Sequence, residues 1–191
     1  QNLLIVGCGD IARRLLPLLG RSYRVFALLR DHDQASFWRG KGAIPIVADL
    51  DRPASLRRIV GLAQLVVHLA PPAEGKNRRS EHCDLRTRQL LAALARQLTL
   101  PQRIVYISTS GVYGDCRGER IDETRQARPS SARARRRVDA ERQLRAFGQR
   151  GVVVSILRAP GIYAADRLPL ERLRQGLPVL HAEEDAYTNH I

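Results

Sequence analysis

The chain has 191 residues, an apolar share of 44% and a formal charge of +13, which fits one domain, or one plus part of another, and a sizeable core. It has no apolar run of about eighteen residues, so no transmembrane helix is expected, and no basic stretch precedes its first apolar run, so it does not read as a secretion signal. The charge comes almost entirely from arginine, Lys41 and Lys76 being the only lysines, and aromatics make up only 5%; dispersed arginines without interleaved aromatics read as a surface bias, and no nucleic-acid or membrane partner is expected.

The first element carries the strongest local signal. Leu3-Leu4-Ile5-Val6 is a buried-type strand that runs into Gly7-Cys8-Gly9-Asp10-Ile11-Ala12, the pattern G-x-G-x-x-A. Strand, glycine turn and helix start in this order are what a dinucleotide-binding turn requires. Gly7 permits the sharp turn, Gly9 lets a pyrophosphate approach the backbone, and Ala12 lets the helix pack close to the sheet. The first-turn N–H groups, from Asp10 and Ile11 onward, then face the phosphates along the helix dipole. An ordinary strand–helix turn is the plainer alternative.

Ile11, Leu15, Leu16, Leu18 and Leu19 continue at helical spacing to Gly20, with Pro17 expected to bend or shorten the helix. A strand is predicted over 24–29, a short helix over 33–41 ended by Gly42, and a strand over 44–48. A short helix over 53–60 and a strand over 65–70, stopped by Pro71-Pro72, come next. Residues 73–80 read as a loop and 80–97 as a longer helix. A strand over 103–107 runs into Ser108-Thr109-Ser110-Gly111, and 111–130 forms a loop of the length that usually serves function. Ser130 or Ser131 caps a helix reaching about Phe147. A strand over 151–157, a break at Pro160-Gly161 and an amphipathic helix over 168–175 complete the chain. Strands alternating with helices imply right-handed βαβ units. The expected fold is therefore α/β, a Rossmann-type doubly wound parallel sheet with helices on both faces.

In such a sheet ligands bind beyond the carboxyl ends of the strands. Arg30 closes the second strand roughly twenty residues after the glycine turn, where an arginine receives the 2′-phosphate of NADP and an acid accepts the 2′-OH of NAD. Asp31 follows at once and points the other way; on Arg30, NADP is expected ahead of NAD, with a surface Arg–Asp pair as the alternative. Asp49, followed by Leu50, can accept from an adenine amino group or cap the next helix. Ala70 and Pro71 close the fourth strand with small, rigid residues across which a cofactor backbone can lie. His68, inside that strand, reads as a core residue. Cys8, Cys83 and Cys116 are scattered and odd in number, as in a reducing cytoplasm, and have no metal-ligand spacing. The sequence has no methionine and stops directly after Thr188-Asn189-His190 on Ile191; a longer natural protein is expected.

At Val105-Tyr106-Ile107-Ser108-Thr109-Ser110-Gly111-Val112-Tyr113-Gly114-Asp115 the chain resembles the extended short-chain dehydrogenase/reductase family, the nucleoside-diphosphate-sugar epimerases and dehydratases. Ala48-Asp49-Leu50, Leu157-Arg158-Ala159-Pro160-Gly161-Ile162-Tyr163 and Thr188-Asn189-His190-Ile191 resemble further family segments, so the likeness covers the whole chain. It implies an NAD(P)-binding domain over 1–165 and the beginning of a C-terminal substrate region over 166–191. It also implies cofactor contacts at Ser108 and Pro160, a small-molecule substrate such as a nucleotide sugar, and a homodimer through the helices around 85–98 and 132–147. Thr109 stands where the family polarises the substrate oxygen.

The family's acid/base Tyr and its Lys four residues later are replaced. Arg133 falls at the Tyr place and Arg137 at the Lys place, and arginine stays protonated and cannot exchange a proton. Arg137 can still bond a ribose hydroxyl and Arg133 an anionic substrate, with a solvated helix face as the alternative for this run. Tyr113 is the nearest tyrosine that can stand in, Tyr106 reads as core, and Tyr163 is expected at the cofactor or substrate edge. The glycine turn is also shorter than the family's usual form, which fits an atypical branch. Two functions follow: an enzyme acting on a carbonyl or sugar-nucleotide-like substrate, or a non-catalytic NADP(H) sensor or interaction protein.

Overall fold

Six strands, β1 (Asn2–Val6), β2 (Arg24–Leu29), β3 (Ile44–Val47), β4 (Leu65–His68), β5 (Arg103–Thr109) and β6 (Val153–Ala159), form one sheet in the order β3-β2-β1-β4-β5-β6. Every neighbouring pair is parallel, with Leu3 opposite Val25 on one side and Leu65 on the other. The structure, a computed structural model, describes residues 1–20, 22–74, 81–96, 99–164, 166, 170 and 174–176. The helices are α1 (Asp10–Leu19), α2 (Ala35–Gly40), α3 (Leu85–Leu94) and α4 (Ala132–Gly148), joined by short 3₁₀ turns.

The strands are buried on alternate faces, as the period of two dictates. Leu3, Ile5, Val25, Ala27 and Leu29 pack against Ala12, Leu16 and Trp38 on one side. Leu4, Val6, Phe26, Leu28, Ile104 and Tyr106 pack against Leu90, Leu94, Leu144 and Phe147 on the other. The doubly wound parallel sheet is thus as expected. Its order reverses between β1 and β4, which opens a crevice at the carboxyl ends of these strands.

Several boundaries moved. Pro17 stays inside α1 and does not end it, because it sits late in the helix and Gly20 N–H closes the last turn on Leu16 O at 3.1 Å. The segment after Pro53 is a 3₁₀ helix (Pro53–Ile59) rather than an α-helix. β4 stops two residues early, and β5 extends through Thr109, which becomes the last residue of the strand. Of the helix expected over 80–97, the described residues are helical at 81–82 and, after a break, over Leu85–Leu94, the second stretch started by the buried Asp84 carboxylate, which accepts from the N–H groups of Arg86 and Thr87. Most of the helix expected over 168–175, and the segment 188–191, lie outside the described residues. No helix among the described residues is long and apolar enough to cross a membrane.

Candidate functional site

A cleft of about 490 Å³ opens over the β1–α1 turn. Its floor is the glycine turn itself. Gly7 has φ +96°, and a Cβ there would meet the backbone N of Ala70 at 2.3 Å. That approach exists because Val6 O accepts from Leu69 N–H at 2.7 Å and from Ala70 N–H at 3.0 Å. The protein itself therefore demands glycine at position 7. Gly9 is different: a Cβ there would meet no protein atom within 4 Å. Nothing among the described residues requires its smallness, so the space beside it is open to whatever enters the cleft. Gly9 is the N-cap of α1 and supplies no side-chain cap, which leaves the first-turn amides of α1 to a ligand. Asp10 stands in that turn and is countered by Arg14, whose Nε donates to its Oδ2 at 3.0 Å and whose Nη2 donates to Asp166 at 2.8 Å. Burial pushes the Cys8 thiol up to about 12, so it stays protonated.

All six residues of the glycine motif but Ala12 line the cleft; Ala12 is fully buried beneath it. Arg30 and Asp31 form the rim at the end of β2, both exposed, and Gln34 joins them from the turn that follows. Asp49 and Leu50 close the far wall. The Asp49 side chain does not cap a helix; its Oδ1 accepts from Asp51 N–H at 2.9 Å, a local turn that fixes the carboxylate at the wall. Ala70 and Pro71 form the opposite wall. Reading by motif missed Arg86, which lines the same cleft from the first turn of α3. Its guanidinium is held by Asp51 and donates to Pro71 O at 3.2 Å. The carboxylate of Asp51 raises its already high pKa. A cation in the first turn of a helix opposes the helix dipole, the one local oddity that could have drawn attention to it.

The residues expected to carry chemistry stand apart from this cleft, and several expectations need correction. Thr109, at the end of β5, is half-buried, and its Oγ1 accepts from Gly111 N–H at 3.2 Å. Ser108 makes no side-chain approach to the cleft; it is buried and its Oγ donates to Glu141 Oε1 at 2.6 Å. Tyr113 is not poised as an acid/base group. It is buried against Val112 and Val138, with the Arg158 guanidinium 4.8 Å from its ring. Arg137 does not reach toward a ribose either: its Nη1 donates to Tyr106 Oη at 2.9 Å and to Ile107 O at 2.8 Å. Pro160 follows β6 and lines neither this cleft nor the neighbouring cavity.

Behind these residues lies a polar layer that motif reading could not supply. Glu141, with no exposed surface, accepts from Ser108, from Arg145 at 3.0 Å and from Arg158 Nη2 at 2.8 Å. Burial would push its carboxyl up, but the bonds from Arg158 and Ser108 outweigh that and hold it below the usual carboxylate range. His68 is a core residue, as expected, with Nε2 2.9 Å from Thr87 Oγ1. Thr87 in turn donates to Asp84 Oδ2 at 2.7 Å, so His68 carries its proton on Nε2. Burial, and after it the nearby Arg137 charge, push the imidazole down to about 3.

The family model for the NAD dependent epimerase/dehydratase family matches residues 3–178. The chain belongs to this family. The UDP-glucose 4-epimerase of Thermus thermophilus, solved with NAD, superposes with a TM-score of 0.74 at 26% identity, over 94% of this chain and 64% of that one. A functionally unknown conserved protein from Silicibacter pomeroyi superposes with a TM-score of 0.64 at 29% identity, over 90% of this chain and 56% of that one. The UDP-glucuronic acid 4-epimerase of Bacillus cereus, in complex with UDP-glucuronic acid and NAD, shares the fold with a TM-score of 0.73 at 21% identity, over 93% of this chain and 64% of that one. The chain spans less than two thirds of each of these proteins. A comparison with curated protein sequences returns no match.

Proposed function

We propose that this family member binds a nicotinamide dinucleotide in the glycine-turn cleft, NADP ahead of NAD, and that the whole protein acts on a carbonyl or nucleotide-sugar-like substrate. The observation that carries the reading is the contrast at the turn: Gly7 is required by Ala70, whereas Gly9 faces only open space above an uncapped helix start. That is the cradle a pyrophosphate needs. Ile11 and Cys8 shape its sides, Asp49 and Leu50 face the adenine end, and Ala70 and Pro71 give the flat wall along which the dinucleotide runs. The relatives solved with NAD support the cofactor class. Arg30, exposed on the rim, supports the 2′-phosphate, and Asp31 beside it favours the second reading, NAD.

When bound, the nicotinamide supplies hydride exchange. Of the chain's own residues, Thr109 orients the substrate oxygen: its Oγ1 accepts from Gly111, which leaves the hydroxyl proton free to donate. Arg133 and Arg137 at the Tyr and Lys places favour the competing reading of a dinucleotide sensor that has lost its proton relay. The reducing thiols fit a cytoplasmic protein, and α3 with α4 is the face for a homodimer. Titration with NADPH and NADH, followed by nicotinamide fluorescence, tests the cofactor reading. Arg30→Glu is expected to weaken NADPH by about tenfold or more while sparing NADH; equal loss of both removes Arg30 from that role. Turnover that survives Thr109→Ala unchanged removes Thr109 from the chemistry.

A further inference from the structure

A second cavity, of about 920 Å³, adjoins the dinucleotide cleft and shares Leu50, Pro71 and Arg86 with it. Its other walls include Pro72 from the segment after β4, Cys83 and Gln89 before and within α3, and Arg133 and Arg136 from the first two turns of α4. Four arginines lie in residues 133–137, and the structure sorts them sharply. Arg135 donates to Ser130 O and His82; Arg137 gives its Nη1 to Tyr106 and Ile107, and its buried Nε is also without an acceptor, but it does not line the cavity. Arg136 is nine-tenths buried; one Nη donates to Glu81 O at 3.3 Å, while its buried Nε has no acceptor. Arg133 is exposed on the cavity wall and makes no hydrogen bond or ion pair among the described residues. The acids on the wall do not answer these cations. Asp51 is held by Arg86, and Glu74 is exposed to solvent.

The placement is costly for the free chain. A cation in the first turn of α4 opposes the helix dipole, and that turn holds no acidic residue. A buried guanidinium N–H without an acceptor forfeits its hydration. One occupant relieves both: an anion between the start of α4 and the guanidinium groups, where planar forks match carboxylate and phosphate oxygens. We infer that this cavity is the substrate's anion subsite, in which Arg133 and Arg136 hold a carboxylate or phosphate group of the substrate beside the cofactor. As a substrate subsite it rests on the reading that the adjoining cleft holds the dinucleotide. In this chain the place of a proton-exchanging tyrosine is thereby given to a fixed positive charge, and the substrate class narrows to acids and phosphate-bearing molecules.

The test uses the full chain, with and without saturating NADPH, titrated calorimetrically with inorganic phosphate, UDP-glucose and UDP-glucuronic acid. Cys83, on the cavity wall, is the independent reporter through its rate of alkylation by iodoacetamide, read on its own peptide. Saturable binding of at least one probe is expected, with slower alkylation of Cys83. Arg133→Glu should weaken it by about tenfold or more, and Arg133→Lys should retain part of it. NADPH affinity should stay the same in both variants, since Arg133 lines the second cavity and not the glycine-turn cleft. Equal binding of the two sugar nucleotides identifies the diphosphate as the anion held; binding of UDP-glucuronic acid alone identifies the carboxylate. An affinity indifferent to Arg133→Glu, unprotected Cys83 at saturation, or no saturable probe overturns the inference. Failure of NADPH to bind, with the probes still responding to Arg133, removes the cofactor reading and leaves the anion subsite standing.

Discussion

The two halves of the sheet's carboxyl edge use their polar groups in opposite ways. Around β1, β2 and β3 they are left facing outward: the amides of an uncapped helix, the exposed Arg30 and Asp31, and Asp49 held at the cleft wall by its own turn. Around β5 and β6 they are consumed inside the protein. Ser108 and Arg158 are bound to Glu141, Arg137 to Tyr106, and Tyr113 lies under Arg158. Residue types that resemble catalytic ones can thus serve as scaffold, and the difference is visible only in what each side chain touches. The half with the glycine turn leaves its polar groups open to a ligand; the other half is built first to hold itself together.

Removing Glu141 should break this contrast most severely. Glu141→Ala leaves Arg158 and Ser108 without their acceptor behind β5 and is expected to cost about 3 to 5 kcal/mol, as for a buried pair that loses one partner. Urea unfolding measures the loss; a variant as stable as the parent would mean that this half is not scaffold at all. The glycine turn gives the next largest effect, and it separates fold from ligand within three residues. Gly7→Ala forces a Cβ onto the Ala70 backbone at positive φ and should cost more than about 2 kcal/mol. Gly9→Ala meets no protein atom, so stability should stay within about 1 kcal/mol while dinucleotide affinity falls by about tenfold or more. If both glycines behave alike, the distinction drawn at the turn is lost.

The smallest effect concerns acid. His68 titrates near 3 in the folded chain and near 6.5 when unfolded. Between those values the unfolded chain binds the extra proton, so stability rises with pH across this window and is lost as pH falls below about 6.5. The slope approaches about 1.4 kcal/mol per pH unit. Asp84, whose pKa burial raises, acts in the opposite sense. His68→Gln removes the imidazole and keeps a donor for Thr87. Its urea midpoint should therefore change less than the parent's between pH 7 and pH 5, and an equal change in both would show that His68 is not the acid-sensitive group.

The sheet and the glycine turn were legible in the sequence because both are written in local apolar runs and in glycine. The parallel, doubly wound arrangement followed from the alternation of elements, and the cleft walls at Arg30, Asp49 and Ala70 from their place at strand ends. The β5–α4 half was not legible, and α4 explains why. Its buried face carries Arg136, Arg137 and Glu141 among its apolar positions, so helical periodicity hides which charges are inside. Arg86 escaped because its role depends on Asp51 and Pro71, brought to it only by the crossover from β4 to α3. Thr109 came out inside the strand, which runs two residues further than expected because β5 stays paired with β6 as far as Ala159.

The approach of Gly7 to Ala70 also has a consequence for how the chain is made. β1 sits between β2 and β4, and Leu3 pairs with Leu65 across a long stretch of sequence. Asn2 reinforces that pairing, its N–H donating to Gln64 Oε1 and its Nδ2 to Leu62 O, both at 2.9 Å. Closing such a loop is slow because its entropy must be spent before the contacts form. β1 is therefore made before both of its neighbours and is among the last strands to be locked. During synthesis it waits with one edge unpaired until β4 emerges, and only then does the glycine turn acquire the shape it has in the finished protein.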